Sequence, residues 1–227
     1  MDIQRATLQD CHNATGMVVV IDVLRAFTTA AYAFDGGAEN ITLVSTIEQA
    51  FALKEQVPEA LLMGEVDGLP IPGFDLSNSP LEIAQTNLKG SRLIQRTTSG
   101  TQGVIRSTNA TTLLTSSLVC ADATSRLIQE QSPESLTFVI TGRRPGGWGD
   151  EDAACADYIE ALLQGGTPNP EPFLERVRLS PPGQLFSDPY QPEFLAIDLE
   201  YCLQLNHFDF AMLVDRKDGL FVMKAVG

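Results

Sequence analysis

The run Met17-Val18-Val19-Val20-Ile21 is apolar at every position and stops at Asp22. Side chains on a strand alternate between the two faces of a sheet, so a strand that is apolar throughout has to be covered on both sides. That requirement predicts a central strand with helices packed above and below it. The residues that follow agree. Positions 26–34 read as a helix closed by Gly36-Gly37, 41–44 as a second strand, and 47–54 as a helix capped by Ser45 or Thr46. Strands are expected at 61–64, 92–95, 111–115 and 136–141. A short proline-started helix is expected at 80–85, and longer helices at 122–131 and 150–163. Helical character returns at 193–205. Residues 210–214 and 220–226, split by Arg216-Lys217-Asp218-Gly219, form a C-terminal hairpin. Strands alternating with helices give an α/β protein with a largely parallel sheet. The 227 residues read as one domain, 1–227, carrying a Pro-rich irregular insertion or arm at about 167–192.

Charge narrows the partners. Lys and Arg number 15 against 29 Asp and Glu, a net charge of −14. Such a chain is a poor fit to nucleic acid or to an anionic membrane surface. A small anion is still accessible to it if the binding pocket is locally basic, and Arg25, Arg96, Arg143 and Arg144 all lie near expected strand ends. Arginine suits phosphate, sulfonate and carboxylate because its planar fork donates two hydrogen bonds at once. The residues after Met1 carry no basic segment followed by an apolar run, and no apolar stretch reaches the length of a membrane span. Cys11, Cys120, Cys155 and Cys202 are scattered without a close pair, which fits reduced thiols better than disulfides or a zinc site. The expectation is a cytoplasmic protein; a homo-oligomer is left open.

In a parallel sheet, ligands gather beyond the carboxyl ends of the strands. Asp22, Glu65, Arg96-Thr97 and residues 141–143 all follow expected strands and are expected to meet at one edge. After the strand at 92–95 comes Arg96-Thr97-Thr98-Ser99-Gly100-Thr101-Gln102-Gly103. Its glycines let backbone N–H groups turn toward a ligand, and the hydroxyls of Thr97, Thr98, Ser99 and Thr101 add donors, so the stretch reads as an oxyanion cradle. An ordinary turn with a Thr or Ser cap is the simpler reading.

Asp22 can bind Mg²⁺ or attack phosphorus, with Arg25 and Thr28 or Thr29 holding phosphoryl oxygens; a helix-capping Asp is its simpler role. Glu65 and Asp67 after another strand, and Asp75 in Gly73-Phe74-Asp75-Leu76-Ser77-Asn78-Ser79-Pro80, supply further carboxylates. Oxygen ligands from separate loops suit Mg²⁺, a hard cation. Arg143 and Arg144 precede Asp150-Glu151-Asp152, where Glu151 or Asp152 can bind a metal or simply favour a helix N-terminus.

Several mechanisms are disfavoured. The two histidines, His12 and His207, sit outside these motifs, which argues against a phosphohistidine route. Leu24 stands where an Asp-x-Asp-x-Thr phosphatase needs its second carboxylate, and no Gly-x-x-x-x-Gly-Lys-Ser/Thr occurs. Cys120 and Arg126 match a Cys-x5-Arg spacing but lack the glycine that opens a thiolate-phosphatase loop.

Taken together, these segments resemble the 2-phosphosulfolactate phosphatase family. The resemblance is carried by Val20-Ile21-Asp22-Val23-Leu24-Arg25-Ala26 with Thr28-Thr29, by Gly64-Glu65, and by Asp75-Leu76-Ser77-Asn78-Ser79-Pro80. It continues through Thr97-Thr98-Ser99-Gly100-Thr101, Glu151-Asp152 and Asp198-Leu199-Glu200-Tyr201-Cys202-Leu203. The family's usual Thr-Asn-Gly-Thr is here Thr98-Ser99-Gly100-Thr101. The resemblance implies a three-layer α/β/α fold and Mg²⁺-dependent hydrolysis of (R)-2-phospho-3-sulfolactate to sulfolactate and phosphate, a step of coenzyme M biosynthesis. That substrate is a small anionic phosphorylated acid, in keeping with the arginine supply. Asp22, Arg25 and Glu65 are then the catalytic candidates, and Asp22, Glu65, Asp75, Glu151 and Asp152 the metal candidates. Thr28, Thr97, Thr98, Ser99, Gly100, Thr101 and Arg143 are left to hold substrate. Another phosphorylated 2-hydroxy acid, or a non-catalytic phosphate-binding protein on the same fold, is the alternative.

One prediction follows from the Cys120 spacing. Cys120→Ser should leave phosphate release within a few-fold of the parent; a loss on the order of a thousandfold would make Cys120 the nucleophile after all.

Overall fold

A computed structural model describes residues 1–142 and 149–227. Strands β1 (Asp2–Thr7), β2 (Gly16–Ile21), β3 (Asn40–Leu43), β4 (Leu61–Val66), β5 (Leu69–Pro70), β6 (Arg92–Arg96), β7 (Ala110–Ser116), β8 (Ser135–Ile140), β9 (Ala211–Lys217) and β10 (Leu220–Val226) join one sheet. The helices are α1 (Ala26–Asp35), α2 (Ile47–Gln56), α3 (Pro80–Ala84), α4 (Gly100–Arg106), α5 (Ala121–Gln131), α6 (Asp150–Leu163), α7 (Glu171–Leu179), α8 (Pro181–Leu185) and α9 (Ala196–Cys202). The sheet order is β1-β8-β2-β7-β9-β10-β3-β6-β4-β5.

The apolar run behaves as its composition requires. Val18 and Val20 face a core shared with α1 and α4, while Met17, Val19 and Ile21 face a second core filled by α5 and α6. A third cluster on Ala50, Leu62 and Ile94 places α2 over β4 and β6. The sheet is thus covered on both faces, a three-layer α/β/α arrangement. Helix α1 is buried from Ala26 to Phe34, and its small residues Ala30, Ala31 and Ala33 let it lie close to its neighbours.

The pairing is parallel within two groups, β1-β8-β2-β7 and β3-β6-β4. Between them lies the C-terminal hairpin, and β7–β9, β9–β10 and β10–β3 are all antiparallel. Three reversals leave the second group running opposite to the first. In a flat sheet the carboxyl ends of β2 and β6 would therefore point to opposite edges, contrary to the single edge expected of an all-parallel sheet. Yet Gln95 Nε2 at the end of β6 donates to the Ala26 carbonyl beyond β2 at 3.0 Å. Twist reconciles the two facts. Five steps separate β2 from β6, and roughly 20–25° per step accumulates to about 100–125°, which swings the reversed strands' ends back toward those of the first group.

Other departures from expectation are local. Strand β1 was not expected, because only Ala6 of its six residues is buried and an edge strand carries little apolar signal. Helix α4 begins at Gly100, inside the stretch read as a cradle. Much of the 167–192 segment is helical, not irregular. Pro172 and Pro181 occupy first turns, where a missing N–H costs nothing, and Ser180 caps α8 through Gly183 N at 3.1 Å. Phe173, Leu174 and Val177 supply the apolar face that docks α7 on the α6 side.

Because the hairpin joins the two parallel groups, its core residues should carry more stability than a terminal ribbon normally does. Met223 is fully buried and its sulfur accepts the Thr115 hydroxyl at 2.9 Å. In urea unfolding, Met223→Ala should cost about 2–5 kcal/mol. Lys224→Ala, which removes an exposed pair with Asp215, should stay within about 0.5 kcal/mol.

Candidate active site

A cavity of about 220 Å³ opens where the loops after β2, β4, β6 and β8 meet. Asp22, Glu65, Thr98, Ser99, Glu151 and Asp152 line it, as do Arg25 and Thr141. Three of its carboxylates, Asp22, Glu151 and Asp152, stand close enough to act on one another. Asp22 follows the last apolar residue of β2, and its Oδ1 accepts the Ala26 N–H at 3.0 Å, capping α1. Its Oδ2 accepts from the Thr141 hydroxyl at 3.3 Å, and the same hydroxyl lies 3.2 Å from Asp152 Oδ2. One hydroxyl carries one proton, so it satisfies one of the two carboxylates at a time. Asp152, in the first turn of α6, also accepts Val23 N and Gly142 N, both at 2.8 Å. Glu151 beside it is 3 % exposed, and among the described residues its Oε2 has no hydrogen-bond partner.

Burial and mutual repulsion act together here. Desolvation, then the neighbouring Asp152 charge, pushes Asp22 from the ordinary 3.8 up to about 8. Desolvation likewise raises Glu151 and Asp152, and each of these two is raised further by an adjacent carboxylate, Asp22 and Glu151 respectively. Backbone and glycine geometry allow the crowding. A Cβ on Gly100 would lie 2.8 Å from Ala26 Cβ and 2.9 Å from Asp22 Oδ2, and one on Gly142 would overlap Glu151 Oε1. Glycine is the residue that fits at both places.

Among the described residues, no group of three His, Cys, Asp or Glu side chains is already drawn together as a ligand set. The donor chemistry still fits a hard cation. Asp22, Glu151 and Asp152 supply buried carboxylate oxygens, and among the described residues Glu151 Oε2 has no hydrogen-bond partner.

Glu65 plays a different part. Its Oε1 accepts Thr98 N at 2.6 Å, and its Oε2 accepts Gly68 N at 2.6 Å and the Thr98 hydroxyl at 3.1 Å. Thr98 Oγ1 in turn accepts Asp67 N at 2.8 Å. Glu65 therefore ties the β6–α4 loop to the β4–β5 turn, and both its oxygens are engaged in doing so.

Several expected ligands are placed elsewhere or given other work. Asp75 lies outside the cavity, where its Oδ2 accepts Leu62 N at 2.8 Å and pairs with Lys54 at 3.2 Å. Thr28 donates to the Val23 carbonyl, and Thr29 to the Asn78 carbonyl, each as a buried local bond. Thr97 and Thr101 exchange bonds with each other across the loop, so their hydroxyls shape it and do not face the cavity. Of the hydroxyls read as a cradle, those of Thr98 and Ser99 reach the cavity wall. Arg143 and Arg144 lie outside the described residues. Cys120 is buried away from the cavity, and burial pushes its thiol up, the reverse of what a nucleophile needs.

The structure also gives roles to residues that the sequence did not assign them. Thr141 and Gly142 link the Asp22 and Asp152 carboxylates. Pro182 and Leu185, from the segment expected to be an irregular arm, and Phe194 just beyond it form an apolar side of the cavity. Asp198 on α9 pairs with Arg25 at 2.6 Å. Asp198 stands in the 198–203 stretch that helps carry the family resemblance, but nothing local to it names Arg25 as its partner.

Comparison with known proteins identifies the family. A family model described as 2-phosphosulpholactate phosphatase matches residues 3–179. A protein of Bacillus subtilis (strain 168) named "Probable 2-phosphosulfolactate phosphatase" is 39% identical over 202 residues, covering 88% of this chain and 87% of that protein. One of the same name from Carboxydothermus hydrogenoformans is 35% identical over 218 residues, covering 92% and 90% respectively. A third, from Deinococcus radiodurans, is 39% identical over 148 residues, covering 65% and 61%. With most of its length matched, and Asp22, Glu65, Thr98 and Glu151-Asp152 gathered on one cavity, the chain belongs to the 2-phosphosulpholactate phosphatase family.

Proposed function

We propose that this protein hydrolyses 2-phosphosulfolactate to 3-sulfolactate and inorganic phosphate, with Mg²⁺ as cofactor. The observation that carries the proposal is the set of three buried carboxylates, Asp22, Glu151 and Asp152, lining the cavity, with Glu151 Oε2 unpartnered among the described residues. Carboxylates crowded at such a place repel one another and would repel a phosphate monoester. A divalent cation resolves both conflicts. When bound, Mg²⁺ supplies a Lewis acid that neutralises phosphoryl oxygens. Asp22, Glu151 and Asp152 are the residues that would hold it.

The chain's own groups account for the rest. Ala26 N–H and Thr141 fix the Asp22 carboxylate, so it needs little reorganisation as charge builds up. Glu65 fixes Thr98 and so the loop that presents Ser99 to the cavity. Pro182, Leu185 and Phe194 exclude water from one side of the cavity and strengthen the electrostatics inside it. Water adds to phosphorus, the ester P–O bond breaks, and the leaving oxygen takes up a proton to give the 2-hydroxy acid. The same arrangement accommodates Asp22 either as the attacking group or as a holder of the cation and the water.

The test is phosphate release from 2-phosphosulfolactate in MgCl₂ and in EDTA, for the parent and for Asp22→Asn. Asparagine caps a helix about as well as aspartate, so the variant should melt normally. Turnover should fall about a hundredfold or more, roughly 3 kcal/mol of transition-state stabilisation. Parental turnover in Asp22→Asn would reduce Asp22 to a cap, and equal rates in EDTA and MgCl₂ would remove the cation from the reaction.

A further inference from the structure

Arg25 is the one cation lining the cavity among the described residues, and it shares that lining with Asp22, Glu65, Asp67, Glu151 and Asp152. A free guanidinium beside five carboxylates should be drawn to them. Its ion pair is instead with Asp198, Nη1 to Oδ2 at 2.6 Å. Asp198 does not line the cavity and is fully buried. Its other oxygen accepts the Ser79 hydroxyl at 2.7 Å and Leu81 N at 3.1 Å, so both oxygens are engaged and the carboxylate cannot turn. Ser79 in turn caps α3 through Glu82 N. One buried charge therefore locks the loop after β2, the start of α3 and the start of α9 together.

The guanidinium is fixed from other directions as well. Nη2 donates to the Gly68 carbonyl at 3.1 Å, and the rings of Phe186 and Phe194 stand 5.4 and 5.5 Å from Cζ. A guanidinium has five N–H donors, and these contacts engage two of them. The remaining donors belong to a cation that is already oriented, desolvated and kept off the carboxylates that would otherwise neutralise it.

We propose that Asp198 is a positioning residue for substrate recognition. By holding Arg25 away from the carboxylates of the cavity, it leaves the guanidinium to bind an acid group, carboxylate or sulfonate, on the carbon skeleton of the phosphorylated substrate. This rests on the hydrolysis reading for the identity of the substrate, but not for the arrangement of the pair. Asp198 lies beyond residue 179, where the match to the family model ends. Specificity for acid-bearing esters is thus assigned to a contact between the first strand's loop and the C-terminal part of the chain.

The test uses the whole protein with Mg²⁺ and two probes. The probes are 2-phosphosulfolactate for turnover, and 3-sulfolactate, which lacks the phosphoryl group, for calorimetric binding. Asp198→Asn should raise KM and the 3-sulfolactate Kd about tenfold or more, while kcat falls far less. In an Arg25→Ala background the same change should add less than about twofold, because Asp198 acts through Arg25. Equal effects in both backgrounds, or a lowered melting temperature with KM and Kd unchanged, would overturn the proposal. Loss of one partner from a buried pair can prevent folding. If Asp198→Asn does not fold, Arg25→Lys keeps the charge but loses the fork; it should show the same rise in KM, and a parental KM there would also overturn the proposal. A parent that binds 3-sulfolactate through Arg25 yet releases no phosphate would remove the hydrolysis reading and leave the positioning role supported.

Discussion

The constraint on which this structure turns is the burial of three carboxylates, Asp22, Glu151 and Asp152, around one threonine hydroxyl. Burying an ionised carboxylate is costly unless hydrogen bonds or an opposite charge compensate it. Asp152 accepts two backbone N–H groups, Asp22 accepts one, the Thr141 proton serves only one of them at a time, and among the described residues Glu151 Oε2 has no partner. A fold tolerates such a cluster when something else completes it. The neighbouring backbone is shaped around that need, with glycines at 100 and 142 where any side chain would strike the carboxylates or their neighbours.

Holding those groups in place is the work of the whole sheet. Asp22 and Thr141 end neighbouring parallel strands, β2 and β8, so their proximity follows directly from pairing. Glu65 and Thr98 come from the oppositely directed group, and only the accumulated twist across the C-terminal hairpin brings them to the same cavity. The hairpin is therefore a geometric part of the site although none of its residues lines the cavity. The segment containing α8 and Phe194 then closes one side and, through Phe186, packs on the outer cation, Arg25.

Much of this was legible in the residues. The apolar run before Asp22 identified a doubly covered strand, and the position of each polar residue just past a strand identified Asp22, Glu65 and Thr98 as neighbours. Patterns of that kind are local, and local patterns report which face or end a residue occupies. They do not report sheet order, so the central place of the hairpin and the reversal between the two strand groups were hidden. They also do not report which partner satisfies a polar side chain. Asp75 had the right company in sequence but is spent on Leu62 N and Lys54, and Thr97 and Thr101 are spent on each other. Asp198 was hidden for the opposite reason, since its partner stands 173 positions away.

The central claim is that a divalent cation completes the carboxylate cluster, and the magnesium-induced change in melting temperature across pH tests it most directly. Asp22 is raised in the folded state to about 8 from 3.8, so the folded protein binds protons that the unfolded chain does not between these values. Without metal, the stability linked to this group is fully present below pH 4 and is lost as pH rises toward 8. On the proposed reading, a bound cation replaces the proton and restores what was lost. The difference in melting temperature between MgCl₂ and EDTA should therefore be small near pH 5 and grow steadily to pH 8. A difference that is absent at pH 8, or that is the same throughout, would contradict the account.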